Sequence, residues 1–166
     1  VATATRTEVG KTEMTLSAND FANTNTNFSK VTFNVTPGYQ EITKAPLTIT
    51  ADSAKKEYDG MPLTDDGWED TAPVGLKSTD KVYSVIVTGT ITEVGTKDNV
   101  PSAAKIVNAD GEDVTESYEI TYANGTLEVT QKTVTITADS DTKVYDGTAL
   151  TKNSYTNTDL AAGDTI

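Results

Sequence analysis

Between Leu47 and Ala51 the chain alternates, with Leu47, Ile49 and Ala51 apolar and Thr48 and Thr50 polar. A period of two is the pattern of a strand with one buried face, so the aliphatic residues are expected inside and the threonines outside. Val134, Ile136 and Ala138 repeat the arrangement around Thr135 and Thr137. Tyr83, Val85, Val87, Gly89 and Ile91 alternate in a longer strand whose other face holds Ser84, Thr88 and Thr90, with Ile86 interrupting the polar side. Residues 104–107, the turn Asp110-Gly111 and residues 118–122 read as strand, connection and strand. Asn124-Gly125 predicts a type I′ hairpin turn, since both residues tolerate positive φ. Leu127 and Val129 then alternate with Thr126, Glu128 and Thr130 in the returning strand. Threonine, valine and tyrosine are abundant and leucine is scarce, a balance that favours extended backbone. An all-β fold follows.

The strand pattern recurs because the sequence does. Residues 48–53, Thr-Ile-Thr-Ala-Asp-Ser, return at 135–140, an offset of 87. The same offset carries Lys56 onto Lys143, Tyr58-Asp59-Gly60 onto Tyr145-Asp146-Gly147, Leu63-Thr64 onto Leu150-Thr151, and Trp68 onto Tyr155. Gly38, Glu41, Ile42 and Thr43 match Gly125, Glu128, Val129 and Thr130 at 87, Thr7-Glu8-Val9-Gly10 match Thr92-Glu93-Val94-Gly95 at 85, and Leu160 and Asp164 match Leu76 and Asp80 at 84. Self-similarity of this kind marks a tandem array. Two spatial phases fit. Either residues 1–84 and 85–166 are two complete units, or a complete unit at 45–131 is flanked by partial units at 1–44 and 132–166. The first is preferred, because half units lack half of their core partners; Lys44-Ala45-Pro46 and Gln131-Lys132 read as natural joints in the second. Six or seven short strands in about 85 residues indicate a sandwich or small barrel. The expected architecture is two tandem immunoglobulin-like β-sandwich repeats, with small β-grasp-like domains as the alternative.

Composition narrows the chemistry. With 36% apolar residues and neither cysteine nor histidine, the chain has no disulfide, no Cys/His zinc site and no Ser-His-Asp triad to offer. A formal charge of −12 opposes nucleic-acid phosphates and anionic lipid, so neither is an expected partner. Apolar runs are only a few residues long, so no membrane insertion is expected, and no charged start followed by an apolar block resembles a signal peptide. The reading is of a soluble piece of a longer chain, expected to be a monomer.

Tyr58-Asp59-Gly60 after a threonine-rich strand, its recurrence at Tyr145-Asp146-Gly147, and residues 122–129, Tyr-Ala-Asn-Gly-Thr-Leu-Glu-Val, resemble the YDG and MBG tandem repeats of bacterial cell-surface proteins. Residues 160–165 and the two Thr-Glu-Val-Gly pieces are similar to the same arrays, so the likeness covers most of the chain. Residues 18–34, rich in asparagine, and Thr36-Pro37-Gly38-Tyr39 in place of the Asn-Gly turn depart from it, making the first unit a diverged copy. The resemblance implies an extracellular, wall-anchored or secreted multidomain protein, often an adhesin, and carries no catalytic residues. Its expected role is a stalk whose partners are the neighbouring repeats of the same chain.

Four features invite a site. The Tyr-Asp-Gly pieces suit a structural corner, with the ring inward, Asp capping a turn and Gly supplying unusual φ. Trp68, among Asp65, Asp66, Glu69 and Asp70, places an aromatic face beside polar groups as a host or dietary glycan or a mucin requires; its counterpart Tyr155 has Ser154 and Asn157 nearby. Asn108, Asp110, Asp113 and Glu116, with Glu112, supply oxygen donors of the kind calcium takes, but the spacing is not that of an EF-hand and no cofactor is expected. An internal Lys-Asn amide cross-link needs both residues buried beside a carboxylate, which sequence cannot place. Carboxylate pairs such as Asp65 with Asp66 point to opposite faces if on a strand, so no enzyme is expected. A repeated binder should keep its exposed aromatic and polar partners in both copies; Trp68 becoming Tyr155, with Thr156, Asn157 and Thr158 in place of the acids, favours the stalk over the glycan-binding module.

Overall fold

A computed structural model describes residues 3–69, 73–77 and 79–166. Its strands are β1 (Gly10–Glu13), β2 (Tyr39–Ile42), β3 (Ala45–Thr50), β4 (Ala54–Glu57), β5 (Lys81–Thr88), β6 (Gly95–Val107), β7 (Tyr118–Ala123), β8 (Gly125–Thr130), β9 (Ile136–Ala138) and β10 (Tyr155–Asn157). The fold is all-β: among the described residues the helical elements are two short 3-10 turns, Ala18–Asp20 and Thr115–Ser117. β1 pairs with β2 and β9 with β10 in separate two-stranded sheets, β3 pairs with β7, and the remaining strands form a four-stranded sheet in the order β4-β8-β6-β5. Within it β4 runs parallel to β8 while β6 runs antiparallel to β8. Contacts group the chain into two units, Val1–Thr48 with Ala72–Ser84 and Ala104–Thr121, and Ile49–Thr71 with Val85–Ala103 and Tyr122–Ile166.

In the first unit Leu47, Ala104, Ile106, Val107 and Tyr118 are buried. The backbone of Ile106 is held on both sides by the connection that follows: Val114 N–H donates to its carbonyl at 3.0 Å and its own N–H reaches Thr115 Oγ1 at 2.9 Å. Thr48 N–H donates to the Val74 carbonyl at 2.9 Å, and Gly75, at φ +98°, is packed so closely on the Pro46 carbonyl that a side chain there would overlap it. Tyr118, 4% exposed, donates its hydroxyl proton to Asp80 Oδ2 at 2.6 Å and accepts from Lys77 N–H at 3.3 Å. Burial first, and then this bond to the carboxylate, raises the Tyr118 pKa above its ordinary 10.0. A raised acid holds its proton more tightly in the folded state, so the stability it confers is whole below pH 10.0 and is lost as pH rises through the folded value. Tyr118→Phe is expected to cost about 1–2 kcal/mol at neutral pH and to flatten this alkaline loss, as read by urea unfolding at several pH values.

In the second unit Ile49, Ala51, Leu127 and Val129 are buried, as is Ala161, so β3 and β8 bury the alternating residues predicted from sequence. Asn124-Gly125 is not a type I′ hairpin turn. Gly125 is absent from the residues with positive φ, and β7 and β8, one residue apart, belong to different sheets. The glycine serves a close approach instead: an added Cβ would overlap the Asp52 carbonyl and stand 2.7 Å from that of Ala51. Asn99, fully buried, sends its side-chain N–H to the same Asp52 carbonyl at 3.0 Å, so the passage from β3 to β4 is held by a glycine on one strand and an amide on the next. An ion pair at 3.0 Å joins Lys55 of β4 to Glu128 of β8, and Tyr58 N–H extends the pair to the Thr130 carbonyl at 2.9 Å.

Two predicted faces differ. Val85 and Val87 are half-buried, but Tyr83 is 65% exposed, because the alternation of β5 slips by one residue between Ser84 and Val85. The Lys105 ammonium lies 5.6 Å from the exposed Tyr83 ring. β9 carries the same alternation as β3 but is exposed throughout. The pattern alone buries nothing where no second layer meets it.

Candidate functional site

The corner at Tyr58-Asp59-Gly60 is built from a lysine three residues before the acid. Lys56 Nζ lies 2.6 Å from Asp59 Oδ1, the same oxygen accepts from Met61 N–H at 2.9 Å, and Gly60 turns the chain at φ +78°. The second copy repeats each part: Lys143 to Asp146 at 2.8 Å, Thr148 N–H to Asp146 at 2.9 Å, and Gly147 at φ +81°. Both carboxyls are held below their ordinary value, Asp59 by Lys56 and then the Met61 amide, Asp146 by Lys143 and then the Thr148 amide. Such lowered acids stabilise the fold above the ordinary carboxylate range and lose that contribution as pH falls through the folded value. NMR titration of Lys56→Met is expected to move Asp59 upward and leave Asp146 in place. The lysine's part went unread in the sequence, although its recurrence at the same offset as the acid was the available signal. The ring is half-buried at Tyr58 but 93% exposed at Tyr145, so the inward ring expected of this corner does not hold in the second copy.

Trp68 is half-buried and lies against the edge of β3, bridging Ala51 in antiparallel fashion. Asp52 N–H donates to the Gly67 carbonyl and Glu69 N–H to the Thr50 carbonyl, both at 3.0 Å, which makes 67–69 a short added edge. The indole N–H is buried without a partner. Asp66 faces an open groove with Thr64, Thr88, Lys97 and Asp98, whose lining does not include the indole. Asp70 lies outside the described residues. Tyr155 stands opposite Ala138 in β10 as Trp68 stands opposite Ala51, and Asp139 N–H donates to the Ser154 carbonyl at 3.0 Å as Asp52 does to Gly67. The two aromatics are equivalent members of one edge pairing.

The oxygen-rich loop is occupied by its own turn. Asn108 Oδ1 accepts from the Asp110 and Glu112 amides at 3.0 and 2.9 Å, Asp113 Oδ1 accepts from Thr115 N–H and Oγ1 at 3.0 and 2.7 Å, and Glu116 pairs with Lys44 at 3.1 Å. Gly111 takes φ +83°, as the Asp-Gly turn requires. Among the described residues no three acidic side chains converge as a metal site needs. Asn99 is the buried polar side chain among them, and its amide is committed to the Asp52 carbonyl rather than to a lysine. No helix of the described residues is long and apolar enough to cross a membrane. No family model matches the chain, and no match was found among the curated proteins or the solved structures.

Proposed function

We propose that this chain is a structural spacer, a stretch of tandem two-layer β repeats of the immunoglobulin-like sandwich kind that presents other domains of an extracellular bacterial surface protein. The repeat phase that fits best places a complete unit at 45–131, between partial units at 1–44 and 132–166. The parallel β4–β8 pair supports it by joining 54–57 to 127–130 inside that span. The observation that carries the spacer reading is a joint made twice. In one unit a cleft is lined by Thr7, Val9, Ile42, Lys77 and Asp80. In the other, Ala161 and Ala162 lie against the turn at Gly60, where an added Cβ would stand 3.5 Å from the Ala162 carbonyl oxygen, and Asp164 first, then burial and Glu93, raise the Tyr58 pKa. Asp80 and Asp164 are repeat equivalents, as are residues 7–9 and 92–94, so the same loop meets the same strand approach in each place. An array that repeats its joints extends in length with a fixed geometry between neighbours.

A glycan and mucin panel tests this. The purified chain and its Asp66→Ala and Trp68→Ala variants are expected to show no saturable binding, with calcium present or removed. Binding lost in both variants makes the chain a glycan-recognition module and ends the spacer reading.

A further inference from the structure

We propose that β5 is a docking edge for the β5 strand of a second copy of this chain, the two strands running antiparallel about a two-fold axis between Ser84 and Val85. This association goes beyond spacer duty and needs neither that reading nor the repeat phase. β5 ends the order β4-β8-β6-β5, with β6 as its one neighbour in the sheet. Among the described residues its backbone makes no hydrogen bond to a segment outside that sheet. An edge of eight residues, with Tyr83 65% and Ile86 56% exposed, is long and apolar for a strand that faces water, and such an edge is a template for another strand.

The exposure pattern of β5 selects its partner. From Lys81 inward the residues run exposed, half-buried, exposed, half-buried, and from Thr88 inward they run the same way, because the alternation slips at Ser84 and Val85. β6 fixes the slip from its side: Ala103 takes φ +49°, and Ser102 Oγ donates to the Ile86 carbonyl at 3.2 Å. Residues directly opposite in an antiparallel pair share a face, so a strand of strict alternation matches β5 on only one side of the slip. A strand that slips at its own centre matches throughout, and a second β5 is such a strand. With the axis between Ser84 and Val85, Lys81 meets Thr88, Val82 meets Val87, Tyr83 meets Ile86 and Ser84 meets Val85, exposed against exposed and half-buried against half-buried. A shift of one residue sets exposed Tyr83 against half-buried Val85 or Val87, and a shift of two sets Val85 against Ile86 or Tyr83 against Ser84. The charges agree with this register. Lys81 enters none of the ion pairs among the described residues. The far end of β5, at Thr88, borders the groove that holds Asp65, Asp66 and Asp98 with Lys97. Antiparallel pairing carries the Lys81 of each copy to that acidic end of the other. Because one surface meets itself, the contact is isologous and closes at two copies.

Sedimentation velocity of the full chain from micromolar to millimolar concentration, with hydrogen exchange on the same samples, reads the association. The mass is expected to rise from 17.6 kDa to twice that and to stop there, while amides within 82–87 gain protection. Ile86→Glu sets a carboxylate, at a site exposed in the single molecule, against the Tyr83 ring of the other copy; it is expected to stay at 17.6 kDa with the protection of β3 and β8 unchanged. The chain has no cysteine of its own, so introduced thiols report cleanly. Tyr83→Cys combined with Ile86→Cys is expected to give a covalent dimer with diamide as the oxidant. Each single variant places its two cysteines three residues out of register, roughly 11 Å apart, and is expected to run as a monomer on a denaturing gel. A chain that stays at 17.6 kDa throughout overturns the proposal and leaves the monomer expected from the sequence. Growth past twice that mass, a dimer that survives Ile86→Glu, or single variants that cross-link as well as the double one also overturn it. None of these outcomes touches the spacer reading, which the glycan and mucin panel tests separately.

Discussion

Gly125→Val is expected to unfold the protein, and Gly38→Val, at the equivalent position of the other copy, to leave its stability within about 0.5 kcal/mol. The added atoms at Gly125 run into the carbonyls of Asp52 and Ala51, which are backbone and have no rotamer to yield. Neither strand can withdraw. Asn99 ties the Asp52 carbonyl from one side, and Ala51 N–H is bonded to the Ala123 carbonyl at 3.0 Å, just before the chain reaches β8. A clash held in this way belongs among the exceptional losses above about 4 kcal/mol, comparable with the whole stability of a small domain. At Gly38 the new side chain meets only the flexible end of Met14. Urea unfolding of both variants at low concentration reads the contrast; equal losses would remove the steric account of the Asn-Gly pair.

Ile49→Ala and Ile136→Ala form the second contrast. Ile49 is fully buried, and truncating it removes packed methyl groups and leaves a cavity, a loss of about 2–5 kcal/mol. Ile136 has the same immediate neighbours in sequence, but it opens its strand and is more than half exposed, so its truncation is expected to cost less than about 0.5 kcal/mol. Thermal or urea melts decide. A large loss at Ile136 would mean that the strand at 136–138 already has a packed second layer, and the proposed repeat phase would have to be redrawn.

The strands around Leu47, Ile49, Leu127 and Val129 were legible because burial on one face imposes a period of two on the residues themselves. The repeat was legible for a simpler reason, that residues 48–53 and 135–140 are identical. Which copy buries its alternating face was not legible, since Ile49 and Ile136 differ in what lies across from them and not in local sequence. Asn124-Gly125 misled because glycine has two uses, positive φ and absence of a side chain, and only the path of Asp52 distinguishes them. Trp68 and its acidic neighbours suit a loop aromatic that covers one end of the core better than a sugar platform; the hydrogen bonds that lay it on β3 come from Gly67 and Glu69 backbone groups, to which side-chain identity gives no clue. The corner at Asp59 was read correctly as a turn through its acid and glycine, while the ammonium that completes it came from a lysine that periodicity assigns to no role.

The parallel course of β4 and β8 has a mechanical meaning. Tension drawn from the N-terminal side of β4 and the C-terminal side of β8 pulls the two strands lengthwise in opposite directions. The register from Ala54 opposite Leu127 to Glu57 opposite Thr130, together with the Lys55–Glu128 ion pair, then takes the load in shear, all bonds at once rather than one after another as in an unzipping hairpin. In the spacer proposed above, this short patch of backbone would resist extension with no covalent cross-link required.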